Sequence, residues 1–140
     1  MQQASAAMSR SKIYPTLEEY RKNNSDEVLR EEATRLRTRN PGRIPVLVFT
    51  RANDNLVMQR QKFLIPGTLP VMQVKQVIRQ YLENSKLKSD QALYYFVQNT
   101  LLDSSSLLSQ VEQTCGTIAG FVVILLSLES TFGEDSIKFN

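Results

Sequence analysis

The chemistry open to this chain is bounded first by a residue type it lacks. Its 140 residues include no histidine and one cysteine, Cys115. Without histidine there is no Ser-His-Asp or Cys-His activation of a nucleophile, no His-containing metal site and no ordinary general base near neutral pH. One thiol cannot complete a zinc site, so neither a catalytic residue nor a metal is expected and an enzymatic role is the weakest reading. Cys115 precedes Gly116, but no Lys or Arg lies within 20 residues of it, so nothing local favours its thiolate. Nor can it close an internal disulfide, which suits a reducing, cytoplasmic compartment.

What remains is the chemistry of binding and attachment. Residues 129–140 read ESTFGEDSIKFN, a polar run behind an apolar stretch, and Gly133 is the only glycine after Gly120. A residue without a Cβ at the end of such a segment lets an enzyme approach the backbone closely. On the residues alone, a turn glycine in a frayed terminus is the plainer reading. Charge is uneven as well: residues 1–90 carry 16 Lys/Arg against 9 Asp/Glu, and residues 91–140 carry 1 against 5. The basic run Arg35, Arg37, Arg39 and Arg43 could meet an acidic peptide, an anionic membrane or phosphates, or simply be solvated. Few aromatics interleave it for base stacking, so nucleic acid is not an expected partner.

The elements that position these residues follow from patterning. Residues 1–12 are small and polar and read as a disordered arm, followed by a helical region over 13–40. It holds a short helix from Tyr14 to Asn24 and a second to about Arg39, with Asn24 and Glu27 as a capping box and Asn40-Pro41-Gly42 as the stop. Strands are expected over Ile44–Arg51 and Val57–Ile65. Val71, Val74, Val77, Ile78, Tyr81 and Leu82 mark an amphipathic helix. Leu93–Val97 is a third strand, Leu107, Leu108 and Val111 a short helix, and Phe121–Leu128 a central strand buried on both faces. The longest apolar run, Phe121–Leu126, is too short to span a bilayer. This order gives an α+β ubiquitin-like β-grasp: a four-stranded mixed sheet, one helix across it and two additional N-terminal helices.

These stretches resemble the autophagy-related protein 8 family of ubiquitin-like modifiers, which includes the microtubule-associated protein light chains and the GABA-receptor-associated proteins. The matching residues are NPGRIPVLVF (40–49), KFLIPGTLPVMQVKQVIRQYL (62–82), ALYYFV (92–97) and Gly120-Phe121 leading to ESTFG (129–133). The resemblance implies a core with its tail over 41–133 and a propeptide, 134–140, removed by a processing cysteine protease. Phe132 would be the protease's recognition side chain and Gly133 the cleavage and conjugation site. Activating and conjugating enzymes would pass Gly133 to phosphatidylethanolamine, and no cofactor beyond that covalent lipid is implied. The protein would be cytoplasmic, and on autophagosomal membranes when lipidated.

The resemblance further implies a groove for cargo receptors carrying an aromatic-x-x-aliphatic motif. One pocket would be lined by Glu32, Leu36, Pro45, Leu47, Lys62, Leu64 and Phe121. The other would be lined by Phe63, Ile65, Pro66, Leu69, Val74 and Val77; Lys62 and Arg79 can pair with acidic residues flanking the motif, and Arg43 is counted among the peptide-binding residues or caps the sheet edge through a local ion pair. Two rival readings stand beside it: a non-lipidated scaffold, for instance on microtubules, and a modifier attached to another protein. The segment from Lys12 to Asn40 is about a dozen residues longer than the family's, and Ala119 stands where an aspartate is common.

Overall fold

The computed structural model of the chain describes residues 12–51, 54–83 and 92–129. The expected propeptide, Phe132, Gly133 and all of the N-terminal arm except Lys12 lie outside the described residues. Two helices come first, α1 (Leu17–Asn23) and α2 (Asp26–Arg39). Both have acidic first turns and basic last turns, which complements the helix dipole. Thr16 Oγ1 caps α1 by accepting from Glu19 N at 3.1 Å. Ser25 Oγ caps α2 by accepting from Val28 N at 3.2 Å, so the N-cap is Ser25 rather than Asn24, and with valine at the third position the expected capping box is replaced by a single cap. Asn24 instead closes α1, its side-chain amide donating to Tyr20 O at 3.0 Å.

Five strands follow: β1 (Arg43–Thr50), β2 (Lys62–Pro66), β3 (Tyr94–Val97), β4 (Thr100–Leu101) and β5 (Val122–Ser127). Helix α3 (Val71–Arg79) lies between β2 and β3, and α4 (Leu108–Cys115) between β4 and β5. The sheet order is β2-β1-β5-β3-β4, with β1 parallel to β5 and the other pairs antiparallel. This is the expected ubiquitin-like α+β architecture with five strands in place of four. The additional strand, β4, is a two-residue, exposed arm joined to β3 through Gln98 and Asn99, both at positive φ. A strand that short leaves no alternating pattern to read.

The second strand is also shorter than its sequence suggests. Leu56 and Met58 are buried and Val57 is exposed, a strand-like alternation. Their backbone partners, however, lie past α3: Gln59 N donates to Tyr81 O at 2.7 Å and Glu83 N to Val57 O at 2.8 Å. The same pairing ends α3 at Arg79, before Tyr81 and Leu82.

Burial divides the sheet cleanly. Ile44, Val46 and Val48 face a core shared with Phe63, Ile65, α3 and α4, while Leu47 and Phe49 face α1 and α2 with Phe121. Strand β5 lies between β1 and β3 as expected of a central strand; one face is fully buried through Val122, Ile124 and Leu126, whereas Val123 and Leu125 on the other are only partly buried against the α1–α2 core. Helix α2 is seated by a close approach at Gly120, where a Cβ would come within 2.6 Å of the Ala33 Cβ and φ is +90°. Next to it Ala119 sits at φ 50°, a left-handed conformation that costs a Cβ-bearing residue about 1 kcal/mol while Asn and Asp tolerate it better. Ala119→Asn is therefore expected to stabilise the fold by about 0.5–1 kcal/mol, measured by chemical denaturation.

Candidate functional site: an open strand edge above a cationic cleft

Strand β2 pairs with β1 on one side and forms the edge of the sheet. Val48 N donates to Gln61 O at 2.9 Å, so Phe63 and Ile65 also turn their backbone groups inward, and Lys62 and Leu64 turn theirs outward. Both outward carbonyls are covered by guanidinium groups. Arg60 Nε donates to Lys62 O at 2.9 Å and Arg43 Nη1 to Leu64 O at 3.4 Å. Side-chain cations at an edge discourage indiscriminate strand pairing. The Arg60 guanidinium also lies over the rings of Phe63 and Tyr81, at 5.2 and 5.4 Å.

Beside this edge is a cleft of 720 Å³ between β2, α2 and the segment entering α1, which brings together Glu32, Leu36, Lys62, Phe63 and Leu64. Lys62 Nζ donates to Glu32 Oε2 at 2.6 Å. Burial works against the Lys62 charge, yet the Glu32 hydrogen bond and nearby Tyr20 leave its pKa raised above the ordinary 10.5. Burial likewise raises the Tyr20 hydroxyl.

The cleft has a wall that sequence reasoning missed. Gln61, 6% exposed, takes Tyr14 in a two-point clasp: Tyr14 N donates to its Oε1 at 2.8 Å and its Nε2 donates to Tyr14 O at 2.7 Å. This holds Lys12, Ile13 and Tyr14 along the cleft, with the Tyr14 ring edge-on to Tyr20 and Tyr20 edge-on to Phe49. A glutamine beside a strand gives no sign of such a role in its local sequence. Lys12, Arg60 and Lys62 face the cleft against one carboxylate, Glu32, a surface suited to an acidic ligand.

The remaining expected residues are placed as follows. Pro45, Leu47 and Phe121, expected in the same pocket, are instead buried, Leu47 and Phe121 in the core beneath α1 and α2, and none of the three lines the cleft. Phe63, Ile65 and Val74 are buried on the opposite face, with Pro66, Leu69 and Val77 partly exposed around them. Arg79 is exposed at the end of α3, outside the cleft, where its charge acts on Tyr95. Within the basic run, Arg37 is committed to Glu112 at 2.6 Å and Gly120 O at 3.0 Å, tying α2 to α4 and to the turn before β5. Cys115 is partly buried against the α3–α4 core.

The cleft holds no histidine, the side chain whose ordinary pKa lies nearest neutrality. A raised folded pKa means that the Lys62 contribution is complete below 10.5 and is lost as pH climbs through the folded value. Affinity for an acidic-flanked peptide is thus expected to be flat from about pH 6 to 8 and to fall only above about pH 10.5, as anisotropy titrations would read.

Fold and cleft together define a ubiquitin-like protein with an edge strand, β2, beside a cationic cleft. The family described as Autophagy protein Atg8 ubiquitin like matches residues 29–133. Autophagy-related protein 8e of Arabidopsis thaliana is 34% identical over 119 residues, covering 84% of this chain and 95% of that protein. Autophagy-related protein 8 of Dictyostelium discoideum is 34% identical over 107 residues, covering 76% and 86%. Among solved structures, Trypanosoma brucei ATG8 aligns with a TM-score of 0.69 at 29% identity, covering 81% of this chain and 97% of that one. Plasmodium falciparum Atg8 in complex with a Plasmodium falciparum Atg3 peptide aligns at 0.71 and 25% identity, covering 85% and 100%. The chain belongs to the Atg8 family of ubiquitin-like autophagy proteins.

Proposed function

We propose that this protein is a ubiquitin-like modifier cleaved after Gly133, joined through that glycine to phosphatidylethanolamine, and used on autophagosomal membranes to recruit partners by short peptides. The observation that carries the reading is the geometry of the β2 edge. Side chains alternate along a strand, so Lys62 and Leu64 serve one face of the sheet and Phe63 and Ile65 the other. A peptide added to this edge likewise sends residues three apart to opposite faces. An aromatic-x-x-aliphatic spacing therefore places one anchor over Leu36 and Leu64 and the other beside Pro66, Leu69 and Val77. Lys12, Arg60 and Lys62 favour an acidic flank.

The peptide bound to the Plasmodium protein supports a comparable contact here with the conjugating enzyme. Among the described residues no helix is long and apolar enough to cross a membrane, and the two acyl chains of the lipid would supply stable anchoring that one chain barely provides. Intact-mass spectrometry of protein recovered from cells tests the reading: a chain ending at Gly133 and carrying the lipid is expected. A mature form still bearing residues 134–140 would favour the non-lipidated scaffold, and a mass increment of a polypeptide would favour a protein modifier.

A further inference from the structure

Where β5 ends, the chain is held by side chains from the far end of β1. Ser127 is 1% exposed despite its hydroxyl, and its Oγ accepts from Glu129 N at 3.0 Å and from Arg51 Nη1 at 3.2 Å. The same Arg51 Nη1 meets Glu129 Oε1 at 3.0 Å. Asp54 Oδ2 accepts from Leu128 N at 2.8 Å, and Arg51 N donates to Leu126 O at 3.0 Å. The ion pair alone would count for little, since Glu129 is 64% exposed. Here both backbone amides beyond the ladder are bonded as well, so the last two residues before the tail have fixed positions.

We infer that Arg51, Asp54 and Ser127 form a clamp that positions the C-terminal tail for its processing enzyme by setting the length and direction of its tether; this rests on the reading that Gly133 is the reactive glycine. From Glu129, Gly133 is four residues away and reaches at most roughly 13–14 Å. Released back to Ser127, the last residue of the ladder, the tether becomes six residues and roughly 20–22 Å. A longer tether lowers the effective concentration of its end at a docked active site, and each freed residue must be ordered again on threading. The clamp residues touch neither the scissile bond nor the protease nucleophile; they are positioning residues. Their effect belongs to substrate capture and so to KM.

Steady-state cleavage of the full chain by a processing cysteine protease of this family tests it. Asp54→Ala combined with Ser127→Ala, which removes the acceptors of both backbone amides, is expected to raise KM about tenfold, roughly 1.4 kcal/mol, with kcat unchanged. Asp54→Asn retains an oxygen acceptor for Leu128 N and is expected to stay within about twofold of the parent. An unchanged KM in the double variant, or a loss confined to kcat, overturns the clamp. Hydrogen exchange reads it without any enzyme: slow exchange of the Leu128 amide in the parent and fast exchange in Asp54→Ala are expected, and an unprotected Leu128 amide in the parent overturns it. A parent chain that is never cut after Gly133 defeats the conjugation reading instead, while hydrogen exchange still decides the clamp.

Discussion

A Gly133→Ala chain is expected to remain full length and diffuse in cells where the parent becomes membrane-bound. On the proposed reading the bond cut and the amide formed both lie at the carbonyl of this residue, and an enzyme channel closes around bare backbone there. A methyl group there meets the channel wall in two successive steps, processing and transfer, and the losses compound. Conjugate should fall by at least about a hundredfold, equivalent to roughly 2.7 kcal/mol in barrier height. A chain ending at Gly133 should conjugate without the protease, because its carboxylate is already free. Phe132→Ala should slow the cut while leaving that truncated chain competent, since the proposed reading gives this side chain a part in recognition by the protease alone. Conjugation of the Gly133→Ala protein at the parent's level, by gel shift and membrane flotation, would refute the assignment.

Leu64→Asp is expected to weaken an aromatic-x-x-aliphatic peptide with an acidic flank by at least about tenfold, roughly 1.4 kcal/mol. Leu64 lines the cleft next to Lys62 and its carbonyl carries Arg43. A carboxylate at this position puts a charge where the ligand's apolar anchor would sit and competes with the ligand's acidic flank for Lys62 and Arg43. Leu64 is only partly buried, so the variant should still fold. Leu101→Asp is the matched control, being 47% exposed on the opposite edge strand. Equal affinities for the two variants by calorimetric titration would remove the β2 edge as the binding site.

The sequence carried the sheet's centre well and its margins poorly. The run from Phe121 onward could be placed because a strand covered on both faces has no solvent side to mark with polar residues. The helix at Val71 was legible for the complementary reason, its apolar positions recurring with helical period. Errors gathered where local pattern and hydrogen bonding part company: Leu56 and Met58 alternate like a strand, but their segment bonds to residues 81–83 rather than to β1. In the cleft, Lys62 and Glu32 came from family resemblance, whereas Tyr14, Gln61 and Arg60 did not. Their roles depend on how residues 12–16 cross the end of β2, a tertiary arrangement that no local spacing encodes.

The parallel pairing of β1 with β5 bears on how the chain reaches its fold. Val46 lies beside Val122 and Phe49 beside Leu125, so the two innermost strands come from distant parts of the sequence. Contacts of that kind are reached late, after most of the loop-closure entropy has been spent. Until then the early β1–β2 hairpin leaves one long edge of Ile44-Pro45-Val46-Leu47-Val48-Phe49 unpaired, the sort of apolar ribbon on which other chains template. Pro45 interrupts that ribbon near its start, where a missing N–H is least damaging to the finished sheet. Yield on refolding should therefore depend on protein concentration, and on how quickly the last strand comes home.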